Sequence, residues 1–370
     1  MKKKQMKRTE SPFVIPFFIP HAGCPHQCSF CNQRTISGKK TDNPISDHSI
    51  EDAVNLYLGY SGDVHNHVQL AFFGGNFLGI GKAAVGKYLD QAGFLFEKKM
   101  IHSIRFSTRP DTVTPEMMAL IRDYPVKTIE IGTQSMDPRV LSLSNRGHSP
   151  EDTALAAKLS RSEGYETGLQ IMIGLPGEDE ASSVFTGNAV ADLSPDFVRI
   201  YPTVVVDGSP LAESYRKGLY IPLEIEEAVK RARNLHAVFT GRNIKIIRMG
   251  LQATDDLIPG TTVLAGPYHP AFGHLVLSSI FYEKIIARIS ADFPCISLDG
   301  KNLEIACNNK SISRVRGNKN ENIKSLLIKY DLAGVSVVSD PALDVEDFHL
   351  RVVAPESKKR SALFVESLKP

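Results

Sequence analysis

Between residue 12 and about residue 250, two hydrophobic rhythms take turns along the chain. Short apolar, β-rich runs lie at 13–18, 67–75, 101–107, 127–135, 167–177, 197–206 and 244–251. Between them, at 49–60, 81–100, 114–124, 137–164, 179–193 and 223–239, apolar residues recur every three or four positions. That is the spacing of helices with one buried face. Thr114-Pro115-Glu116 has the marks of a helix start, with a capping hydroxyl, proline in the first turn and an early acid.

Such alternation implies a parallel sheet covered by helices. Six or seven units fit a partial or complete (β/α) barrel of TIM type, an α/β fold whose functional residues sit at the carboxyl ends of the strands. The style changes after about residue 275: one helical stretch (279–289) precedes short runs at 303–308, 321–332, 334–339 and 348–354. The expected layout is a basic tail at 1–11, a barrel domain at 12–275 and a small α+β domain at 276–370. The tail and residues 356–370 are expected to fray.

Composition adds limits. With 42% hydrophobic and 23% charged residues, 370 residues suffice for one large and one small globular domain. A net charge of +2 advertises no global attraction to nucleic acid, and leaves room for a local basic patch. No segment approaches the roughly 20 apolar residues needed to span a bilayer. The basic start, the apolar stretch 11–20 and His21-Ala22-Gly23-Cys24 loosely imitate an exported lipoprotein. Pro12, Pro16 and Pro20 interrupt that stretch, however, and cleavage there would take Cys24 from its neighbours. The chain is therefore read as cytoplasmic.

Five cysteines, an odd number, argue against a disulfide framework. Cys295 and Cys307 stand alone in apolar settings and read as small buried hydrophobes. Cys24, Cys28 and Cys31 fall within eight residues, directly after the first predicted strand. A C-x3-C-x2-C loop offers three thiolates to three corners of a cubane iron–sulfur cluster. Such clusters normally take four cysteines, so a missing fourth leaves one iron open to a substrate or cofactor. A mononuclear zinc site wants four ligands, and His21 or His26 as the fourth is the competing reading.

With aromatic Phe30 before the last cysteine, the loop resembles the signature of the radical S-adenosylmethionine (SAM) superfamily. The resemblance implies a [4Fe–4S] cluster on Cys24, Cys28 and Cys31. It also implies S-adenosyl-L-methionine on the open iron, a 5′-deoxyadenosyl radical, and an electron donor of flavodoxin or ferredoxin type. Gly74-Gly75-Asn76, closing the second strand, resembles the family's GGE motif, with Asn76 in place of Glu. Its backbone would meet the SAM methionyl amine. Read plainly, two glycines after a strand are a tight turn.

Ser107 ends the third strand before Pro110-Asp111, Gln134 ends the fourth near the expected ribose or substrate, and Gln170 interrupts an apolar fifth strand. A buried amide there needs partners. Arg146, in Asn145-Arg146-Gly147-His148, could pair with the SAM carboxylate, or be a surface arginine near a helix end. His148 reads more simply as a structural or solvated residue.

Over 12 to about 220 the chain further resembles the elongator catalytic subunit and its radical SAM relatives. The matching blocks are 106–111 (FSTRPD), 131–135 (IGTQS), 145–148 (NRGH), 174–177 (GLPG), and 199–203 (RIYPT) followed by Gly208-Ser209-Pro210-Leu211. Oxygen-independent coproporphyrinogen oxidases form a looser second resemblance. Ser107 stands where the elongator pattern carries Glu, and Gln170 where it carries His. Residues 276–370 are not expected to form an acetyltransferase domain, since they are too few and lack its glycine-rich signature. The resemblance implies a radical SAM enzyme acting on RNA, with transfer RNA as partner. The alternatives are a radical SAM enzyme for a small molecule or tetrapyrrole, and a non-catalytic iron–sulfur or zinc RNA-binding protein. The basic stretch from Lys310 through Arg314 and Arg316 to Lys319 could touch phosphates or be a solvated face.

Overall fold

The computed structural model describes residues 12–19, 23–32, 50–61, 67–252, 257–294 and 296–353. The basic tail, His21, Ala22, Cys295 and residues 354–370 lie outside them. The chain divides into two compact units, 1–272 and 273–370.

The first unit is a seven-stranded parallel sheet. Its strands are β1 (Phe13–Phe18), β2 (Val68–Phe73), β3 (Ser103–Thr108), β4 (Val126–Gln134), β5 (Glu166–Ile173), β6 (Phe197–Pro202) and β8 (Lys245–Met249), hydrogen-bonded in chain order. A two-stranded ribbon joins β7 (Val205–Val206) to β9 (Val263–Ala265). The crossovers carry helices α1 (Ile50–Ser61), α2 (Lys82–Glu97), α3 (Pro115–Ile121), α4 (Pro138–Leu143), α5 (Pro150–Ser162), α6 (Glu180–Asp192), α7 (Pro210–Arg216) and α8 (Ile225–Gly241). This is a partial barrel of the TIM type.

Two expectations shift in detail. The helical stretch 137–164 is two helices, because positive φ at Asn145 (50°) and Gly147 (68°) breaks the path. Asp137 caps the first helix, and Ser149 with Asp152 forms a reciprocal capping box on the second. The run 197–206 also splits: β6 ends at Pro202 and the following valines pair with β9 instead of continuing the sheet. Thr114 caps α3 by accepting from the Met117 amide at 3.3 Å.

The two faces of the sheet differ. Leu70, Ile104, Phe106, Ile129, Ile131, Leu169, Ile171, Val198 and Ile200 are at most 1% exposed and form the core. Burial of each contributes about 1.5–3 kcal/mol. On the other face the alternate positions are polar: Gln69, Arg105, Thr128, Glu130, Gln170 and Arg199. A parallel sheet buried on both faces would read as continuous apolar runs, so the polar stripe marks an interior built for something other than packing.

In the second unit, α9 (Phe272–Asp292) is longer than its predicted core. It is followed by β10 (Asn302–Cys307), α10 (Ile312–Arg316), α11 (Glu321–Tyr330), β11 (Gly334–Ser339) and β12 (Phe348–Val353). The strand order is β11-β10-β12, with β11 parallel and β12 antiparallel to β10. Phe281, Ile285, Leu303, Ile305, Cys307 and Leu326 are all fully buried in its core. Among the described residues, no helix is long and apolar enough to cross a membrane.

Candidate functional site

The cysteine loop emerges at the carboxyl end of β1 and is gripped by three other segments, after β2, α4 and β7. After β2, Asn76 Nδ2 donates to the Gly23 carbonyl at 2.7 Å. A Cβ on Gly23 would lie 2.4 Å from the Asn76 carbonyl, so glycine is required for that approach. After α4, the Ser29 amide donates to the Ser144 carbonyl at 2.9 Å and Asn145 Nδ2 to the Gln27 carbonyl at 2.7 Å. After β7, the Leu211 amide donates to the Ser29 carbonyl at 2.7 Å, and Asn32 Nδ2 to the Asp207 carbonyl at 2.6 Å. The loop is thus positioned almost wholly by backbone groups and neutral amides.

Asn76 is only 1% exposed, and its side chain is fully committed. Its Oδ1 accepts from the Thr108 hydroxyl (2.7 Å), the Thr112 hydroxyl (2.8 Å) and the Arg109 amide (3.0 Å). The amide therefore ties the ends of β2 and β3 to the cysteine loop, a role a carboxylate could not fill because it has no donor for Gly23. Phe77, stacked between Phe72 and Phe106 at 4.8 Å from each, anchors the same turn. Gly74 (φ 99°) and Gly75, just ahead of it, are half-buried.

Cations gather behind the thiols. Arg146, 7% exposed, donates from Nη1 to Cys28 Sγ at 3.2 Å and from Nη2 to the Gly132 carbonyl at 2.6 Å. A Cβ on Gly132 would sit 2.8 Å from that nitrogen, so glycine makes room for the guanidinium. Arg109, 2% exposed, pairs through Nε and Nη2 with Asp111 at 2.9 and 3.0 Å. Its Nη1 and the Arg146 Nε have no partner among the described residues. Desolvation and then Cys28 raise the Cys24 thiol above its ordinary value, while Arg146 and Arg109 pull it down. Buried donors left open beside thiols suit an anionic occupant.

Desolvation, then the two arginines, lower His148 to about 3, so it is a neutral imidazole at neutral pH. The ring of His26 crowds Gly147, where a Cβ would lie 2.3 Å from it. Among the described residues, no three His, Cys, Asp or Glu side chains converge as a set able to hold one metal ion. A three-cysteine loop with a guanidinium on one sulfur fits a cluster that takes one sulfur per corner.

Gln134 lies at the β4–β5 register shift with a left-handed backbone (φ 66°), 5% exposed, accepting from Gln170 Nε2 at 3.1 Å. Strained backbone of that sort clusters at functional sites. Ser107 is half-buried on β3, and Phe30 packs with Val205, Leu211, Ala212 and Tyr220. Past β5, Glu178 folds the loop back by accepting from the Leu175 amide at 3.0 Å, and burial pushes it up to about 7.

Deeper on the polar face lies a cluster that the sequence reading missed. Glu130 bridges Arg105 (3.0 Å) and Arg199 (2.6 Å), and Arg199 Nη1 reaches the Tyr201 hydroxyl at 3.3 Å. Gln69 joins from β2 by donating to Ser103 and Thr128. The available signal was a charged residue at alternate positions of three otherwise apolar strands.

The radical SAM superfamily description matches residues 18–183, and the radical SAM C-terminal domain description matches 195–281. The chain belongs to the radical SAM superfamily. Among similar proteins is a tRNA uridine(34) acetyltransferase of Methanocaldococcus infernus, 25% identical over 317 residues, covering 75% of this chain and 58% of the relative. The heme chaperone HemW of Mycobacterium tuberculosis is 27% identical over 210 residues, covering 56% and 53%. The chain spans a little over half the length of these curated relatives. Among solved structures, the archaeal Methanocaldococcus infernus Elp3 superposes with a TM-score of 0.59 at 21% identity, covering 75% of this chain and 65% of that one. The partial barrel is therefore a radical SAM barrel.

Proposed function

We propose that this chain is a radical SAM enzyme acting on RNA, with transfer RNA as its substrate class. The observation that carries the chemistry is the three-cysteine loop, clamped at the strand ends with Arg146 on Cys28 and two buried guanidinium nitrogens left open. Cys24, Cys28 and Cys31 would hold the cluster. When bound, a [4Fe–4S] cluster supplies the electron that cleaves S-adenosylmethionine to methionine and a 5′-deoxyadenosyl radical.

The chain's own residues bind and orient. Gly74 and Gly75 offer backbone to the methionyl group of SAM, and Arg109 and Arg146 offer charge to its carboxylate. The Gln134–Gln170 pair and Ser107 offer hydrogen bonds toward the ribose, and Phe30 an aromatic edge. The electron would come from a flavodoxin- or ferredoxin-type donor. A reducing cytoplasm keeps the triplet as thiols.

RNA as substrate is supported by the elongator-like blocks and by alignment with tRNA uridine(34) acetyltransferases over 75% of the chain. The acetyl-transfer part of that activity is not carried over. A tetrapyrrole-related substrate is the second reading, supported by the heme chaperone relative.

Anaerobic reconstitution tests both levels. The wild type should form 5′-deoxyadenosine under reduction, faster with bulk transfer RNA, and Cys28→Ala should lose the cluster absorbance together with all turnover. Cleavage unaffected by RNA yet raised by a porphyrin would sink the RNA reading. Full turnover in the Cys28→Ala variant would sink the chemistry.

A further inference from the structure

The basic stretch of the second unit is not explained by the radical chemistry, and its setting is specific. β10 and β11 are adjacent parallel strands, and the crossover between them is two helices, α10 and α11, joined by Gly317-Asn318-Lys319-Asn320. β12 covers the other side of β10 in antiparallel fashion. A strand–helix–turn–helix–strand unit with a G-x-x-G turn between its helices is the arrangement with which KH-type modules clamp single-stranded RNA backbone. Here the fourth turn position is Asn320, and it adopts the left-handed conformation (φ 61°) that a glycine there would permit.

The turn is held from beneath. Gly317 has φ 74°, and a Cβ on it would meet Asn322 at 2.9 Å. Buried Asn322 donates through Nδ2 to the Arg314 and Val315 carbonyls at the end of α10, and to the Ser278 carbonyl of α9. Its amide thus closes the open carbonyls of one helix and pins the start of the next. What the turn presents outward is charge. Residues 310–324 contain five cations (Lys310, Arg314, Arg316, Lys319, Lys324) against one acid, Glu321, in a chain whose net charge is only +2.

The cations divide into two groups. Arg314 is held by Glu346 at 3.4 Å, which also takes Lys284 at 3.2 Å. The acidic segment containing Glu346 is fastened at the start of α10, where Asn308 Nδ2 donates to the Leu343 carbonyl. At the other end of α10, Arg316, Lys319 and Lys324 are exposed and enter no ion pair among the described residues. Acid is thus kept to one side of the helix pair and free base to the turn side. α10 and α11 lie against β11, an edge strand with half-buried Val335 and Val337.

We propose that the second unit binds single-stranded RNA, gripping its phosphates at the Gly317–Asn320 turn with Arg316, Lys319 and Lys324. The proposal is independent of what the barrel modifies, since the grip needs no cluster. It would recruit RNA to the chain even if the hydrogen were taken from another molecule.

The test uses the full chain and a fluorescent single-stranded oligoribonucleotide of about a dozen nucleotides, titrated at several salt concentrations. The double variant Arg316→Ala/Lys319→Ala should bind about tenfold or more weakly, with a salt slope shallower by about one to two. Both side chains are exposed, so the melting temperature should not move, and RNA-independent 5′-deoxyadenosine formation should match the wild type. Wild-type affinity and slope in the double variant overturn the proposal, as does equally tight binding of a duplex of the same sequence. Lost RNA binding with intact basal SAM cleavage supports the grip alone. Absent cleavage with intact, turn-dependent RNA binding would count against the radical chemistry and leave the grip standing.

Discussion

The rim and the floor of the barrel are both polar, yet they are built by opposite means. At the rim, neutral amides and backbone carbonyls place the cysteine loop: Asn76, Asn145 and Asn32 each spend an amide nitrogen on a carbonyl of the segments they join. On the floor, Glu130 holds Arg105 and Arg199 in a nearly buried ion triad. The difference shows what each region is for. At the rim Arg146 has no carboxylate partner among the described residues and keeps its Nε unpartnered for an incoming anion, whereas on the floor both guanidiniums share Glu130, with Arg105 Nε left over. A buried triad is poor evidence of net stability, because desolvation offsets its attraction, but removing one partner strands the others.

That contrast fails most visibly, if it is wrong, at Glu130. Glu130→Gln should cost about 3–5 kcal/mol in urea unfolding, because it strands two guanidiniums on the sheet face. Arg105 already sits below its ordinary pKa through desolvation, with Glu130 as the chief opposing pull. A loss under about 1 kcal/mol would mean that water reaches the floor freely and that the triad is an exposed pair in disguise.

The rim should respond differently. Asn76→Ala leaves the Gly23 carbonyl, two threonine hydroxyls and the Arg109 amide short of a partner, costing about 1–3 kcal/mol. Because the lost bond to Gly23 frees the entrance of the cysteine loop, the variant should also take up less iron per chain on reconstitution than its stability predicts. Iron content equal to wild type at matched folded fraction would show that the clamp does not position the loop.

The sequence made the sheet legible because each strand's buried face is a run of β-branched and aromatic residues, and each crossover helix keeps its own period. The cysteine triplet was legible because its spacing is local. What the sequence hid was long-range. Nothing near Asn76 says that its amide joins three segments, and Glu130 meets Arg199 across 69 positions. The loop at Asn145-Arg146-Gly147-His148 could be placed from the sequence, but not the positive φ values at Asn145 and Gly147 that shape it. Likewise α7, seven residues or about two turns, is too short for its period to register.

The smallest effect separates side chain from backbone at the junction of rim and floor. Gln134 accepts from Gln170 and holds a left-handed φ of 66° where β4 slips register against β5. Gln134→Ala and Gln134→Gly both remove the side-chain bond, so comparing them isolates the backbone. In an ordinary strand glycine is about 0.5–1 kcal/mol worse than alanine. At a left-handed position the order reverses, since alanine keeps the steric penalty and glycine does not. Gln134→Gly should therefore be more stable than Gln134→Ala by about 1 kcal/mol in chemical denaturation. Both variants should weaken SAM binding alike, because the hydrogen-bonding amide is gone from each. If alanine proves the more stable, the left-handed turn belongs to the bound side chain and the chain relaxes once that side chain is cut away.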